Sequence, residues 1–140
     1  MSTEENKAIV RRVFEAINQK NWAVLDDVIS TDCLFHGPWG EEEKVSQLIK
    51  RIALMMYDAF PDHHFTIEDM IVEGNKVVTR ATASGTHKGD FMGIAPTGKQ
   101  FTMMGIWIYY IADGKIIEDW EILDQLGMMQ QLGAIPPMGQ

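Results

Sequence analysis

The sequence predicts an α+β fold in which a curved antiparallel sheet wraps around three N-terminal helices. Apolar residues recur at helical spacing as far as Phe60, whereas alternating, strand-like segments separated by turn pairs fill most of the remainder. Helices followed by strands are the pattern of α+β domains rather than of a parallel α/β sheet. No repeat or linker interrupts the 140 residues, so we expect a single domain over residues 1–140.

Three helices are predicted in the first part of the chain, each with one apolar stripe. Ser2 and Glu5 stand at capping-box spacing before the first stripe, and Asn21 is placed to cap a short second helix. Three consecutive glutamates precede the third stripe, where the helix dipole favours negative charge, and Pro61 ends it. The first helix is expected over about 3–20, the second after Asn21 and the third over about 41–59, with a short extended piece at 33–36.

Four strands and a short closing helix are predicted after Pro61. Gly74-Asn75 and Asp113-Gly114 are turn pairs, and the second is a strong hairpin signal. The segment 102–111 is apolar on both faces, so we expect the core to cover one face and a second subunit, in a homodimer, to cover the other. The strands are expected over 65–73, 76–86, 100–112 and 115–123, a loop over 93–99, and the helix over about 125–132.

Composition and motifs restrict the classes of function. Twelve basic and twenty acidic residues give a formal net charge of -8, which argues against nucleic acid and anionic membranes as partners. The sequence has no glycine-rich phosphate loop, no nucleophile elbow and no zinc-type histidine spacing, so neither a cofactor nor a metal is expected. Cys33 is the single cysteine, and the N-terminus lacks the apolar stretch of a signal peptide. We therefore expect a cytoplasmic protein.

The last predicted strand supplies the main catalytic candidate. Strict alternation places Trp120 and Asp124 on one face together with two isoleucines, so we expect this face to point inward. A carboxyl at the apolar interior loses water, which raises its pKa and makes it a better acid and base near neutral pH. The alternative is that Asp124 is only the N-cap of the closing helix. The residues of this face are Ile116, Glu118, Trp120, Ile122 and Asp124.

Other side chains are candidates for the wall or the lip of a pocket. His36 stands before the chain break at Gly37-Pro38 and could exchange a proton at physiological pH, or could be a loop histidine bonded to backbone. Tyr110 is a candidate donor to an oxyanion. His63 and His64 are expected to be polar loop residues. Aromatic, methionine and histidine side chains that would suit a flat apolar ligand are Trp39, Tyr110, Trp120, Met55, Phe91 and His87. His87 could line the mouth of the pocket or be solvated.

Several segments of the chain resemble the SnoaL-like polyketide cyclase family. They are Phe60-Pro61-Asp62, Gly85-Thr86-His87, the run 89–99, the run 113–120 and the run 124–133, and they follow in family order over nearly the whole chain. The resemblance implies the cystatin-like α+β cone of the nuclear-transport-factor-two-like superfamily, commonly a homodimer packed through its sheet, with no metal and no organic cofactor. It also implies that Asp124 is the general acid/base of an aldol ring closure, with His36 in the pocket.

Three functions are compatible with these residues. The first is an enzyme in which Asp124 removes a C–H proton from a polyketide-like substrate, so that the enolate closes a ring by intramolecular aldol chemistry in an apolar pocket. The second is a non-catalytic module that binds a small apolar ligand, with Asp124 as a helix cap. The third is a hydrolase of an epoxide or ester, which needs a positioned water and a second charged group such as Arg80.

Overall fold

The computed structural model describes residues 2–37 and 44–136 and confirms the α+β class. Within these residues no helix is long and apolar enough to cross a membrane. The elements in chain order are α1 (Thr3–Gln19), α2 (Trp22–Val28), β1 (Ile29–His36), α3 (Val45–Ala59), β2 (His64–Glu73), β3 (Lys76–Thr86), β4 (Gln100–Ala112), β5 (Lys115–Leu123) and α4 (Gln125–Gln131). The predicted start of the third helix at residues 41–43 lies outside the described residues.

Helix α1 begins and ends where its sequence predicts. The Ser2 Oγ atom accepts a hydrogen bond from the Glu5 backbone N–H at 3.1 Å, and the Glu5 side chain accepts one from the Ser2 N–H at 3.5 Å, which completes the capping box. Lys20 ends the helix in the left-handed conformation, with φ of 56°. The stripe that packs on the sheet consists of Ile9, Val10, Val13, Phe14 and Ile17.

The sheet has the strand order β1-β5-β4-β3-β2. Strands β2 to β5 form the predicted antiparallel meander. The extended piece before Gly37 is longer than predicted, and as β1 it adds a fifth strand that pairs with β5 in parallel. The parallel direction is available because α3 and three strands separate β1 from β5 along the chain, so that no tight hairpin constrains the pair.

A one-residue bulge interrupts the pairing of β5 with β4. Tyr110 lies opposite Glu118, but the next residue of β4, Ile111, lies opposite Ile116. Ile117 is therefore an extra residue on β5, and the alternation of side chains is shifted by one position beyond it. The prediction that one face continues from Ile116 to the end of the strand is wrong for this reason. The side chains that face the core after the bulge are Asp119, Glu121 and Leu123.

The core lies between α1 and the concave side of the sheet. The Phe14 ring of α1 meets three aromatic rings of the sheet edge-to-face, at centroid distances of 5.3 Å to Phe65, 5.2 Å to Trp107 and 6.4 Å to Tyr109. Edge-to-face contact is a favoured geometry for aromatic pairs. A second apolar cluster around Phe60, Phe101 and Met128 joins α3 and α4 to the other end of β4. These contacts fix the helices that enclose the candidate site.

Asn18 joins the last turn of α1 to the edge strand β2. Its Nδ2 atom donates to the Phe65 carbonyl at 2.9 Å, and its Oδ1 atom accepts from the Phe65 N–H at 2.8 Å. An edge strand presents backbone groups that no neighbouring strand pairs. The amide side chain of Asn18 satisfies both backbone groups of one such residue and sets the position of the Phe65 ring.

We predict that Asn18→Ala lowers the free energy of unfolding by about 2 kcal/mol, because two hydrogen bonds are lost and the partly buried Phe65 backbone groups lose their partner. Urea denaturation measures the change. Asn21→Ala is the matched control, because Asn21 caps α2 without a side-chain hydrogen bond. Equal losses in the two variants would contradict the stabilising role of the Asn18 amide.

Candidate active site

A largely apolar cavity of about 210 Å³ lies between α1, α3, α4 and the concave face of the sheet. Side chains from all of these elements line it, and most of them are aliphatic, aromatic or methionine. The polar exceptions are His63, Glu121 and Gln125, together with the polar ends of Trp107 and Tyr109. A pocket of this kind, with a few polar groups in an apolar wall, is typical of a small-molecule site.

Glu121 is the acidic side chain in the wall of this cavity. It faces inward because of the bulge, and it lies opposite Trp107 in the β4–β5 register. Gly37 leaves room for it, since a Cβ atom there would lie 2.9 Å from the Glu121 Cγ atom. Burial raises the pKa of Glu121 to about 7, and hydrogen bonds from Trp107 and Asp119 only partly oppose this shift.

Asp119 lies directly behind Glu121, with 1% of its surface exposed. It stands opposite Phe35 of β1 and Tyr109 of β4. Burial raises the pKa of Asp119 well above its ordinary value, and the charge and hydrogen bond of Glu121 raise it further. Glu121 is the neighbour that contacts the Asp119 carboxyl, and no other described group satisfies either of its oxygens. Asp119 therefore keeps its proton when Glu121 ionises.

The two carboxyls form a pair that carries at most one negative charge near neutral pH. Two like charges side by side in an apolar environment disfavour double ionisation, so the proton stays on the more deeply buried Asp119. Glu121 then titrates near neutrality, where a carboxyl can both remove and return a proton. The Cys33 thiol is inert here, because burial and the neighbouring Asp119 and Glu118 carboxyls raise its pKa to about 12.

His63 lies in the wall of the same cavity, which the sequence did not suggest. It is only 5% exposed, and neither ring nitrogen has a hydrogen-bond partner within the part of the chain that the structure describes. Burial lowers the pKa of His63 to about 4, so the imidazole is neutral at physiological pH. The expectation of a polar loop residue is wrong for His63, which is buried before β2, whereas His64 is exposed at the start of β2.

Asp124 does not face the apolar interior, so that prediction is wrong. It is exposed, and its Oδ1 atom accepts a hydrogen bond from the Gly127 N–H at 3.0 Å at the start of α4. This is the helix-cap arrangement that the sequence left open as the alternative. The bulge in β5 is the cause, because it moves Asp124 from the inner to the outer set of side chains while its neighbours Leu123 and Gln125 line the cavity.

His36 and Trp120 lie on the outer face of the sheet rather than in the pocket. Their rings stack at a centroid distance of 3.7 Å with an interplanar angle of 15°. Both also contact one carboxyl: Glu118 Oε2 lies 2.9 Å from His36 Nε2 and accepts from Trp120 Nε1 at 2.8 Å. The predicted catalytic role of His36 and the predicted ligand contact of Trp120 are therefore not supported by their position.

The other predicted contact residues are divided between the cavity and other surfaces. Phe91 lines the cavity, as expected for a ligand contact. Tyr110 lies on the outer face, where the Lys76 ammonium sits 5.3 Å from its ring centroid; Tyr109 takes the inward position instead. Met55 lines a separate surface cleft beside α2, and Trp39 lies outside the described residues.

His87 is neither a pocket residue nor solvated. It is fully buried, and its Nδ1 atom lies 3.0 Å from the Thr97 hydroxyl and accepts from the Thr97 N–H at 3.3 Å. The ring packs against Phe60 at a centroid distance of 5.4 Å. His87 thus fixes the loop 87–99 to the core. No group of three His, Cys, Asp or Glu side chains that could hold a metal ion occurs within residues 2–37 and 44–136.

Comparisons with known proteins identify relatives of the chain. The profile of the SnoaL-like polyketide cyclase family matches residues 7–132. The chain is 28% identical over 132 residues to the aklanonic acid methyl ester cyclase DauD from Streptomyces sp. (strain C5), and the alignment covers 89% of this chain and 80% of that protein.

Solved structures extend the comparison to the fold. Wild-type IdmH from Streptomyces antibioticus superposes with a TM-score of 0.82 at 30% identity, covering 91% of this chain and 98% of that one. TsrD from Streptomyces laurentii gives a TM-score of 0.84 at 27% identity, covering 96% and 99%. AclR from Streptomyces galilaeus gives 0.86 at 24% identity, covering 99% and 87%, and shows the shared fold alone.

We predict that Glu121→Gln changes how stability depends on pH. The folded pKa of Glu121, about 7, lies above the ordinary value of 4.5, so the wild type loses stability as the pH rises between these values. The variant lacks this loss and should gain roughly 3 kcal/mol relative to the wild type from about pH 4.5 to about pH 8. Urea denaturation of both proteins at both pH values measures the difference.

His63 titrates in the opposite direction, but it is common to both proteins and cancels in this difference. Its lowered pKa reduces the stability of both proteins as the pH falls below about 6.5. A difference between the two proteins that stays constant with pH would contradict the raised pKa of Glu121.

Proposed function

The chain belongs to the SnoaL-like polyketide cyclase family, and from this premise we propose that it is a cofactor-independent cyclase in which Glu121 is the general acid and base. The observation that carries the proposal is the position of Glu121 in the wall of an apolar cavity, with a pKa raised to about 7. A base at that pKa is half ionised at neutral pH, which is the condition under which one carboxyl serves both proton transfers best.

The reaction that suits this arrangement is an intramolecular aldol addition. The Glu121 carboxylate takes a proton from a carbon that lies next to carbonyl groups, and the electron pair of the broken C–H bond forms an enolate. The enolate carbon attacks a second carbonyl carbon of the same molecule, so that one C–C bond forms. The oxygen of the attacked carbonyl becomes an alkoxide. The protonated Glu121 returns its proton to that oxygen, and the product is an isomer of the substrate.

Asp119 supports both proton transfers without touching the substrate. It lies behind Glu121 and keeps its own proton, so it can donate a hydrogen bond to the Glu121 carboxylate when that group is ionised. This hydrogen bond lowers the pKa of Glu121, which would otherwise be raised further by burial. Asp119 is therefore a positioning residue that holds the proton affinity of the base near neutrality.

The cavity favours a substrate that is flat, apolar and rich in carbonyl groups. Phe14, Phe65 and Trp107 present rings to the cavity, and they would hold an aromatic or conjugated skeleton by edge and face contacts. The relative DauD is named for aklanonic acid methyl ester, so this ester is the first substrate to test. Positioning of the two reacting carbons would supply a large part of the rate enhancement.

Of the two other functions that the sequence allows, the hydrolase loses its main support. Arg80 is exposed on β3 and pairs in register with Asp69 and Ile106 on the outer side of the sheet, away from the cavity. The binding module is favoured by the mainly apolar wall alone. A binding module has no need of two buried carboxyls, and burying them lowers the free energy of unfolding at neutral pH.

We predict that Glu121→Gln reduces turnover of aklanonic acid methyl ester by about 10²–10⁴-fold, the range expected for loss of general acid/base catalysis. Asp124→Asn is the matched control, since asparagine caps a helix equally well and Asp124 is exposed. A chromatographic assay of ring closure measures both variants, and the Kd of the ester checks that each still binds. Wild-type turnover in the Glu121 variant would falsify the proposed role.

We also predict that kcat/KM rises with pH and reaches a plateau above about pH 7. The ionised form of Glu121 is the base in the first step, so the rate constant should fall about tenfold for each unit below the pKa of the free enzyme. Asp119→Leu removes the hydrogen-bond donor to Glu121, so the pKa of Glu121 and the midpoint of the profile should rise. A profile that is flat from about pH 5.5 to about pH 8.5 would exclude Glu121 as the base.

The outer face of the sheet is proposed as the contact surface of a homodimer. Exposed apolar side chains on three adjacent strands form one strip there, and Ile122 is 78% exposed. Exposed apolar surface of this extent on a soluble domain marks an interaction site, and a two-fold contact with a second copy is the commonest solution. The strip consists of Leu34 on β1, Trp120 and Ile122 on β5, and Met104 and Ile106 on β4.

We predict that light scattering gives twice the chain mass of 15.9 kDa for the wild type and a single chain mass for Ile122→Glu. The buried glutamate would lose its hydration at the contact without a partner. Leu126→Glu is the matched control, because Leu126 is also an exposed apolar residue but lies on α4. A monomeric wild type would contradict the homodimer.

A further inference from the structure

His63 is a buried polar group in the cavity that the proton transfers do not use. It lies immediately before β2, and its ring packs edge-to-face on Tyr57 at 5.4 Å and on Phe65 at 4.9 Å between centroids. The Tyr57 hydroxyl is already engaged, since it donates to the Ile17 carbonyl at 2.7 Å. These contacts fix the plane of the imidazole while leaving both ring nitrogens without a partner among the described groups.

A buried nitrogen without a partner is costly, because desolvation of a donor or acceptor costs about 1–3 kcal/mol when no hydrogen bond replaces water. A buried polar group of this kind calls for an explanation, and a ligand that completes its hydrogen bonds is one. The His63 ring lines the cavity, and because its nitrogens have almost no exposed surface, a bound molecule contacts one of them only when a neighbouring side chain of the wall moves aside. Conversion to the imidazolium is disfavoured by burial, which leaves the imidazole with one N–H donor and one acceptor nitrogen.

His63 and Glu121 stand on different walls of the cavity. His63 precedes β2, and β2 is separated from β5 by β3 and β4, which corresponds to about 14 Å across a flat sheet at the usual strand spacing. Between them lie the rings of Phe65 and Trp107, whose centroids are 5.8 Å apart. A molecule that contacts both polar groups must therefore place an apolar body over these rings.

We propose that His63 donates a hydrogen bond to a carbonyl oxygen of the substrate at the end remote from Glu121. The substrate class is then a planar apolar molecule with oxygen at both ends, a carbonyl at His63 and the acidic C–H group at Glu121. His63 thereby selects the orientation in which the reactive carbon meets the base. The placement of the acidic C–H group at Glu121 rests on the proposed function. The hydrogen bond from His63 to a carbonyl is tested by binding alone.

The test compares two bicyclic probes that differ by one carbonyl, α-tetralone and tetralin. Calorimetry should give a Kd for α-tetralone that is about five- to tenfold lower than for tetralin, the range of one neutral hydrogen bond. His63→Leu should abolish this preference, and His63→Gln, which retains an amide donor, should restore part of it. His64→Leu is the matched control, because His64 is the exposed neighbour and should leave the preference unchanged.

Nitrogen-15 NMR of the wild type, with labelled histidine, makes the test independent of how the variants fold. The His63 ring nitrogens should shift with α-tetralone and not with tetralin, whereas those of His36 on the outer face should stay in place. The proposal is overturned if His63→Leu keeps the preference, if millimolar α-tetralone leaves the His63 signals unmoved, or if only Glu121→Gln removes the preference. None of these results depends on turnover, so loss of the cyclase proposal would be seen separately in the Glu121 assay.

Discussion

The register of β5 against β4 is the constraint on which the candidate site depends. One extra residue, Ile117, shifts the alternation of side chains, so that Asp119 and Glu121 turn toward the core while Trp120 and Ile122 turn away from it. Without the bulge the same sequence would turn Glu118, Trp120 and Ile122 toward α1 and leave Asp119 and Glu121 on the solvent side. Bulges often occur next to active sites, where they reorient a side chain, and here the bulge turns Glu121 into the cavity.

The apolar wall gives the acid pair its chemical character. In water the two carboxyls would both be ionised at neutral pH and would be weak bases. Inside the cavity the loss of hydration raises both pKa values, and their mutual repulsion leaves one proton between them. Burial of Glu121 in this state lowers the free energy of unfolding at neutral pH. The aromatic contacts of Phe14 with Phe65 and Trp107 help to hold the surrounding wall in place.

The sequence predicts the fold well because its elements depend on local signals. The capping box of α1 and the Asp113-Gly114 turn between β4 and β5 are visible in short windows, and the structure confirms them. Strict alternation places the acid pair on the wrong face, because a bulge depends on pairing with β4, which no window of β5 contains. The available signal was the pair Asp119 and Glu121 at spacing two, flanked on the same parity by the apolar Leu123.

The clamp between Asn18 and Phe65 has a consequence for how the protein can polymerise. Its two hydrogen bonds occupy backbone groups at the free margin of β2, and an irregular register at residues 67–69 distorts the same margin further. A β-strand of another chain therefore finds no continuous row of free backbone groups there on which a fibre could grow. The proposed contact through the outer face of the sheet would instead stop at two copies, because the first contact buries this face in both of them.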